Sequence, residues 1–375
     1  MKRKGFTLIE LLAVIVVLAI IALIATPIVM NTIKNAKKGA AERSADNYVK
    51  ALEQKVTEVR IDGTKIFDGT YIVDENGNLG GVYVVDPEIC KSTPTYQNCE
   101  VGVEQKINVE MSGNKPVSGK IIIKNGMVEG LNIDINGYSI SYKNNKMVVM
   151  DEETISKYLS NSLCVSVDND TLTIGTKYIC ELGDGEKNSF YLLEDGDTTT
   201  ITEGRLAQSG EVSLIMDRNI GENGKGVVEG GEIYMVTKED YLAAGGTEAD
   251  WGDFGSHDKG PITANKALAQ RTSNWTKITD KSKITLPTYY QIDQQHTKNQ
   301  NESEIAPDWL TQNLVNSINS GYWVYYKYPS SSDKSNQYQT CAVNNGGSYF
   351  QGYGVVNSTK KGIRPVITIS KSNLS

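Results

Sequence analysis

The sequence predicts an α+β protein with three parts in series: a long N-terminal helix, an antiparallel β-sheet on that helix, and a separate mixed α+β, loop-rich C-terminal domain. Three observations support this fold class. An apolar run over residues 6–30 continues into an amphipathic helical pattern as far as Arg60. Residues 64–150 alternate short apolar stretches with tight-turn signals. After residue 163 the composition changes, and all four tryptophans follow.

The composition excludes several classes of function. The chain has 375 residues, a net charge of -7 and a pI near 5.2. A nucleic-acid-binding surface needs clustered lysine and arginine to displace counterions, so we expect no such surface here. Five cysteines and two histidines occur without a Cys-x-x-Cys pair. We therefore predict no metal site and no cofactor.

The first 30 residues predict a membrane-spanning segment. Three cations, Lys2, Arg3 and Lys4, precede 25 residues that only four polar or helix-breaking positions interrupt. A spanning helix needs about 20 apolar residues, and a preceding basic cluster keeps the N-terminus cytoplasmic. A cleaved secretory signal would have a shorter apolar core. A plain anchor would leave Glu10 unexplained, because a carboxylate within a span costs at least about 2.5 kcal/mol at its centre and less near its end.

The stretch Gly5-Phe6-Thr7-Leu8-Ile9-Glu10, behind its short basic leader, resembles the class III signal of type IV prepilins and pseudopilins. The resemblance implies that residues 1–5 are a leader that a prepilin peptidase removes after Gly5. It also implies methylation of the new terminal amine on Phe6. Glu10 would pair with the terminal amine of a neighbouring subunit during assembly. Pro27 matches the position of a helix-kinking proline in that family.

The helix is expected to continue over residues 6–63, with residues 6–30 in the membrane. Its second half carries an apolar stripe at roughly helical spacing, which should pack under a sheet. Gly63 is the expected helix stop. The stripe comprises Ile33, Ala36, Ala40, Tyr48, Leu52, Val56 and Val59.

Residues 64–150 are predicted to form an antiparallel meander, the head of a pilin-like fold. Asn125-Gly126 and Asn136-Gly137 are strong hairpin signals. Asp74, Asn76 and Asn78 resemble part of a calcium loop, but the glycine and closing glutamate are missing, so a turn is the better interpretation. The predicted strands cover residues 71–73, 82–85, 106–109, 120–123, 131–135, 138–142 and 147–150.

Residues 151–162 are predicted to be a linker with a short helix, and residues 163–375 a C-terminal display domain. The predicted strands of this domain include residues 171–174, 189–193 and 212–216, and a helix is expected over residues 261–275. The domain resembles a C-terminal domain of unknown function on bacterial surface proteins. Its closing Gly362-Ile363-Arg364-Pro365-Val366 is similar to C-type-lectin-like and formylglycine-generating-type folds, which implies a terminal strand returning beside the domain's start.

The cysteine spacing leaves two states open. Cys90 with Cys99, and Cys164 with Cys180, bracket turn-like stretches and could form disulfides on an oxidising cell surface. Cys341 would then be left over. The alternative, that all five cysteines are reduced thiols, has about equal weight, because pairing cannot be deduced from sequence.

The C-terminal domain offers a binding surface more readily than a catalytic centre. Tyr322, Trp323, Tyr325 and Tyr326 are the best candidate ligand surface, and the tryptophans could stack on sugar, although a core role is commoner. An enzyme would need His257 to converge with a nucleophile and a carboxylate, which its sequence neighbours Ser256 and Asp258 rarely provide. Arg364 is expected to be a buried cation paired with a carboxylate.

These features predict a minor pilin or pseudopilin, not an enzyme, with its body outside the cytoplasmic membrane. Prepilin peptidase, other pilin subunits and the membrane are its expected partners. The alternative is a membrane-anchored adhesin or glycan-binding protein that is not built into a filament.

Overall fold

The computed structural model describes residues 8–85, 100–103, 105–143, 146–167, 172–199, 204–227, 230–251, 259–295, 297–298, 304–305, 307–311, 321–327, 338–343 and 360–375. Within these ranges the protein is α+β, as predicted. A long N-terminal helix lies on an antiparallel sheet, and a second region of sheet and short helices follows.

Helix α1 spans Leu8–Ile61, 54 residues, and is therefore about 80 Å long. It ends as the sequence predicts. Gly63 has a left-handed φ of 86°, and the Thr64 N–H donates to the Val59 carbonyl at 3.1 Å. This six-residue closure is a common helix end, and glycine adopts its positive φ without steric cost.

Pro27 lies inside α1, and the helix assignment continues through it. Proline has no N–H, so the backbone bond to the carbonyl four residues earlier is missing at that turn. The Thr26 hydroxyl donates to the Ala22 carbonyl at 2.6 Å one residue before it. The kink at Pro27 stays a prediction.

The strands after α1 form one sheet in the order β3-β2-β1-β4-β5-β6-β7, with every neighbouring pair antiparallel. Asn125 and Asn136 have φ of 53° and 54° and are followed by glycines of positive φ, so both predicted Asn-Gly hairpins are confirmed. The strands are β1 Gly69–Val73, β2 Leu79–Val85, β3 Glu100–Val103, β4 Ser118–Lys124, β5 Met127–Ile135, β6 Tyr138–Lys143 and β7 Lys146–Val149.

One predicted strand of the head is wrong. Residues 106–109 form only an isolated bridge, in which Ile107 exchanges backbone hydrogen bonds with Leu79 at 2.9 Å. Ile107 and Val109 are buried in the head core, and this burial explains the apolar pattern without a strand. Burial of every second residue thus occurs both in strands and in extended segments that pair at a single residue.

The core of the head lies between α1 and one face of the sheet. The helix contributes Ala41, Ala45, Tyr48, Leu52 and Val56, and the sheet contributes residues such as Ile121, Leu131, Ile133 and Ile140. The predicted stripe is therefore confirmed at Tyr48, Leu52 and Val56. It is wrong at Ile33 and Ala36, which are exposed because they precede the part of α1 that packs on the sheet. It is also wrong at Ala40, which is exposed although its neighbour Ala41 is in the core, so Ala40 faces away from the sheet.

The second region begins with helix α2, Glu152–Leu159, and forms a sheet in the order β15-β21-β11-β10-β9-β8. The strands are β8 Cys164–Ser166, β9 Lys177–Glu181, β10 Lys187–Asp195, β11 Glu211–Met216, β12 Asn219–Ile220, β13 Gly226–Val227, β14 Ile233–Tyr234, β15 Ile284–Thr285, β16 Thr297–Lys298, β17 Glu304–Ile305, β18 Tyr322–Lys327, β19 Tyr338–Val343, β20 Lys360–Lys361 and β21 Val366–Ser370. The helices are α3 Lys238–Ala243, α4 Ile262–Arg271, α5 Tyr289–Asp293 and α6 Asp308–Thr311.

This second sheet is covered on both faces. Phe190 and Leu214 pack with Leu268 of α4 and Trp275 on one side, whereas Tyr191 and Ile215 pack with other residues on the opposite side. Residues 172–174, predicted as a strand, are not one: Thr173 accepts from the Thr176 N–H at 3.0 Å in a turn.

The last residues of the chain, after the terminal strand, return to the start of the second region. Strand β21 lies between β15 and β11 in the sheet. Beyond it, the Leu163 N–H donates to the Asn373 carbonyl at 2.9 Å, and the Ser166 N–H donates to the Ser375 carbonyl at 2.8 Å. Residues 163–167 and the last residues of the chain therefore hold each other in place.

Candidate functional sites

The N-terminal signal lies at the start of α1. Gly5 and Phe6 are outside the described residues, and Glu10 is within the helix, although its side chain is not among those described. The first half of α1 is long and apolar enough to cross a membrane. Its most apolar stretch has a mean hydropathy of 3.1 and is 0% buried by the rest of the described chain. An isolated apolar surface of this size requires lipid or other helices around it.

The head and the second region meet beside the middle of α1, at Lys34 and Lys38. Asp151 caps α2 by accepting from the Thr154 N–H at 3.0 Å, and its other carboxylate oxygen lies 2.9 Å from the Lys38 ammonium. Lys34 lies 3.6 Å from Glu153. Burial raises the pKa of Asp151, but hydrogen bonds from Lys38 and Thr154 outweigh it and lower the pKa to about 2. The Asp151 carboxylate is therefore ionised at physiological pH and can pair with Lys38.

A second set of contacts joins the two regions on the outward face of the head sheet. The Asn132 amide donates to the Val167 carbonyl at 2.8 Å, and the Ser141 hydroxyl donates to the same oxygen. Both side chains lie on the sheet face away from α1, because their strand neighbours Ile133 and Ile140 lie in the helix-facing core. The segment predicted as a linker is thus packed between two folded parts.

These junction residues were not found from the sequence. Lys34 and Lys38 are four apart on one helix face, and residues 151–153 are acidic. Two clusters of opposite charge predict an ion pair only if the fold is known to bring position 38 near position 151.

The candidate aromatic surface requires a correction. Tyr322 and Trp323 are both 0% exposed, so they cannot be part of a ligand surface. Trp323 packs in the core beside α4 and donates its indole N–H to the Ile233 carbonyl at 2.7 Å, whereas Tyr322 packs on the opposite side. Over residues 322–324, strand β18 is buried on both faces. Tyr325 is half-buried, and the side chain of Tyr326 lies outside those described.

The other tryptophans are also packed against neighbouring side chains and do not form an open platform on which a sugar could stack. Trp275 is fully buried and meets Phe190 edge-on, with ring centroids 6.0 Å apart. Trp309 and Trp251 are half-buried and pack on Tyr191 and Tyr241 at 5.7 Å and 5.4 Å.

Arg364 is buried, as predicted, but its partners are different. Its guanidinium donates to three backbone carbonyls: Met216 at 2.5 Å, Trp309 at 3.0 Å, and Leu310. It also lies 5.0 Å from the centroid of the Tyr322 ring. Among the described residues its partners are carbonyls, so the prediction of a carboxylate partner is wrong for this part of the chain. A planar fork of donors can satisfy several carbonyls at once, which explains arginine at this position.

The rest of the closing motif is structural as well. A Cβ on Gly362 would lie 2.0 Å from the amide nitrogen of Asn219, which itself donates to the Gly321 carbonyl at 3.1 Å. The carbonyls of Ile363 and Pro365 accept from Ile220 and Met216 at 2.8 Å and 2.9 Å. The motif thus connects β21 to β11 and β12.

Cys164 and Cys180 are directly opposite each other on β8 and β9, are fully buried, and are joined by a disulfide. Cys90 and Cys99 lie outside the described residues, as does the side chain of Cys341. The disulfide fixes β8 to β9, and the last residues of the chain pair with β8 through backbone hydrogen bonds.

Replacing both Cys164 and Cys180 by alanine should lower the free energy of unfolding of the C-terminal region by about 3 kcal/mol, because the bond closes a loop of 16 residues in the unfolded chain. Tryptophan fluorescence during urea unfolding of the detergent-solubilised chain reports this region alone, since all four tryptophans lie in it. Reduction of the wild type should reproduce the variant. Equal stabilities in non-reducing buffer would contradict the prediction.

The loop that resembles a calcium site is a turn, as predicted. One carboxylate oxygen of Asp74 accepts from the Asn76 and Asn78 N–H groups at 2.9 Å and 2.8 Å. Among the described residues, no group of three or more His, Cys, Asp or Glu side chains could hold a metal ion. His257, Ser256 and Asp258 lie outside the described ranges, as does His296.

The comparison with protein families matches one segment of this chain. Residues 1–26 match the family model described as the prokaryotic N-terminal methylation motif. The chain therefore carries a prokaryotic N-terminal methylation motif at its start. No curated protein and no solved structure is a match. The matched residues include Gly5, Phe6 and Glu10, so the segment that the sequence singled out is the one that the comparison supports.

Proposed function

We propose that this protein is a minor pilin or pseudopilin that carries a C-terminal binding region at the cell surface. One observation carries the proposal: the methylation motif at residues 1–26 opens a 54-residue helix whose apolar half is uncovered and whose second half packs on an antiparallel sheet. In this proposal prepilin peptidase removes residues 1–5 and Phe6 becomes the methylated N-terminus. The body of the chain lies outside the cytoplasmic membrane.

The contacts between the two regions support the proposal that this subunit occupies few positions in a filament. The C-terminal region contacts the outward face of the head sheet and the middle of α1 through Asn132, Ser141 and Lys38. Those surfaces are then unavailable to neighbouring subunits. A subunit at a tip or at rare positions has fewer neighbours, and so it can carry this additional mass.

Processing provides the direct test. Mass spectrometry of the protein from cells with an active prepilin peptidase should show N-methylated Phe6 as the first residue. A Gly5→Leu variant should retain Met1 and stay in the membrane, whereas a Lys4→Gln control should still be cut. Recovery of intact Met1 in the wild type would overturn the proposal.

The alternative is an anchored adhesin or glycan-binding protein outside any filament. It shares the span and the C-terminal region but does not require assembly. Shearing of cells separates the two functions: a filament subunit is released with pili, whereas an anchored adhesin remains with the membrane. We propose no enzymatic activity for either.

A further inference from the structure

A groove opens on the surface of the C-terminal region between α4 and β15. Its volume is about 450 Å³, within the range of about 300–1,000 Å³ that is usual for small-molecule sites. It is separate from the N-terminal signal and from the junction with the head. The sequence contains no motif that indicates it.

The walls of the groove come from three elements. Asn265, Ala269 and Ser273 are four residues apart, so they follow one edge of α4 and its extension. Thr285 of β15 lies in the opposite wall. Tyr325 of β18 completes the lining, and its backbone N–H donates to the Pro287 carbonyl at 3.2 Å, which holds β18 next to the end of β15.

The lining combines a ring and aliphatic surface with short polar groups. The half-buried Tyr325 and the exposed Ala269 provide apolar surface, whereas Asn265 and Ser273 provide an exposed amide and an exposed hydroxyl. A pyranose offers both an apolar ring face and several hydroxyls.

The charge of the groove favours an anion. Lys281 lines it and is exposed, and its ammonium donates to the Trp275 carbonyl at 2.8 Å, which uses one of its three N–H groups. None of the described lining residues is acidic. The nearby carboxylate of Glu211 is already paired with Lys283 at 2.8 Å.

We propose that this groove binds an acidic hexose, a hexuronate unit of a glycan. The sugar ring lies against Tyr325 and Ala269, its hydroxyls meet Asn265 and Ser273, and its carboxylate meets Lys281. This inference rests on the display role proposed above, but binding by the purified chain does not depend on assembly into a filament. The two proposals can therefore fail separately.

Saturation-transfer NMR of the full chain in detergent micelles tests the site, with D-glucuronate and D-glucose as probes. Glucuronate should bind at least tenfold more tightly than glucose. Ala269→Trp fills the groove and should weaken glucuronate binding at least tenfold. Gln270→Trp is the matched control, because Gln270 is exposed on the same helix but does not line the groove. It should bind as the wild type does.

A second variant tests the role of the charge. Lys281→Met should weaken glucuronate binding about tenfold and leave glucose binding unchanged. The site is overturned if the wild type shows no saturation transfer to glucuronate, or if Ala269→Trp and Gln270→Trp bind equally well. Equal weakening of both sugars by Lys281→Met would overturn the assignment of the carboxylate to Lys281.

Discussion

Replacement of Glu10 by glutamine is expected to abolish incorporation of this protein into filaments while leaving its membrane insertion intact. In the proposed assembly, the Glu10 carboxylate meets the methylated amine of Phe6 from a neighbouring subunit in a low-dielectric surrounding. Removal of one partner of a buried ion pair costs about 3–5 kcal/mol, because the other charge is left without compensation. Incorporation should therefore fall a hundredfold or more, since about 1.4 kcal/mol is a factor of ten.

The measurement is the ratio of protein in sheared filaments to protein in the membrane fraction. Glutamine keeps the size of the side chain and removes only its charge, and it lowers the cost of insertion into lipid. Glu10→Asp is the control that keeps the charge, and it should retain incorporation better than Glu10→Gln. Wild-type incorporation of Glu10→Gln would rule out the pairing.

Replacement of Arg364 by methionine should destabilise the C-terminal region by about 3–5 kcal/mol. Methionine fills much of the same volume but leaves the carbonyls of Met216, Trp309 and Leu310 buried without that donor. Each unsatisfied buried acceptor costs about 1–3 kcal/mol. Arg364→Lys should fall between wild type and methionine, because an ammonium lacks the planar fork that reaches three carbonyls.

Urea unfolding followed by tryptophan fluorescence measures this effect. Lys360→Met is the matched control. Lys360 is exposed and lies 5.0 Å from the Tyr234 ring centroid, so its loss should cost less than about 1 kcal/mol. If Arg364→Met and Lys360→Met unfold at the same urea concentration, the carbonyl network does not stabilise this region.

Local signals predicted the head well. The Asn-Gly pairs at residues 125–126 and 136–137 specify hairpins because asparagine and glycine tolerate positive φ. The helix end at Gly63 has the same origin. The strand predicted at residues 106–109 is wrong because their alternating apolar residues are typical of a strand, whereas only Ile107 has a pairing partner.

The sequence predicts less of the C-terminal region than of the head. The aromatic residues of β18 suggest a surface, yet a strand covered on both sides buries them. Aromatic side chains have large apolar areas and a polar tip, so they suit a core and a binding surface equally well. Their exposure is set by which elements pack around them.

The sequence by itself determined the N-terminal signal, the long helix and the hairpins of the head, because these depend on residues within a few positions of one another. The tertiary structure alone decided the partners of Arg364, the Lys38–Asp151 contact and the groove lined by Tyr325. Each of these joins residues between about 40 and 150 positions apart. Contacts over such separations are set by how whole elements pack, and no local pattern of residue types encodes them.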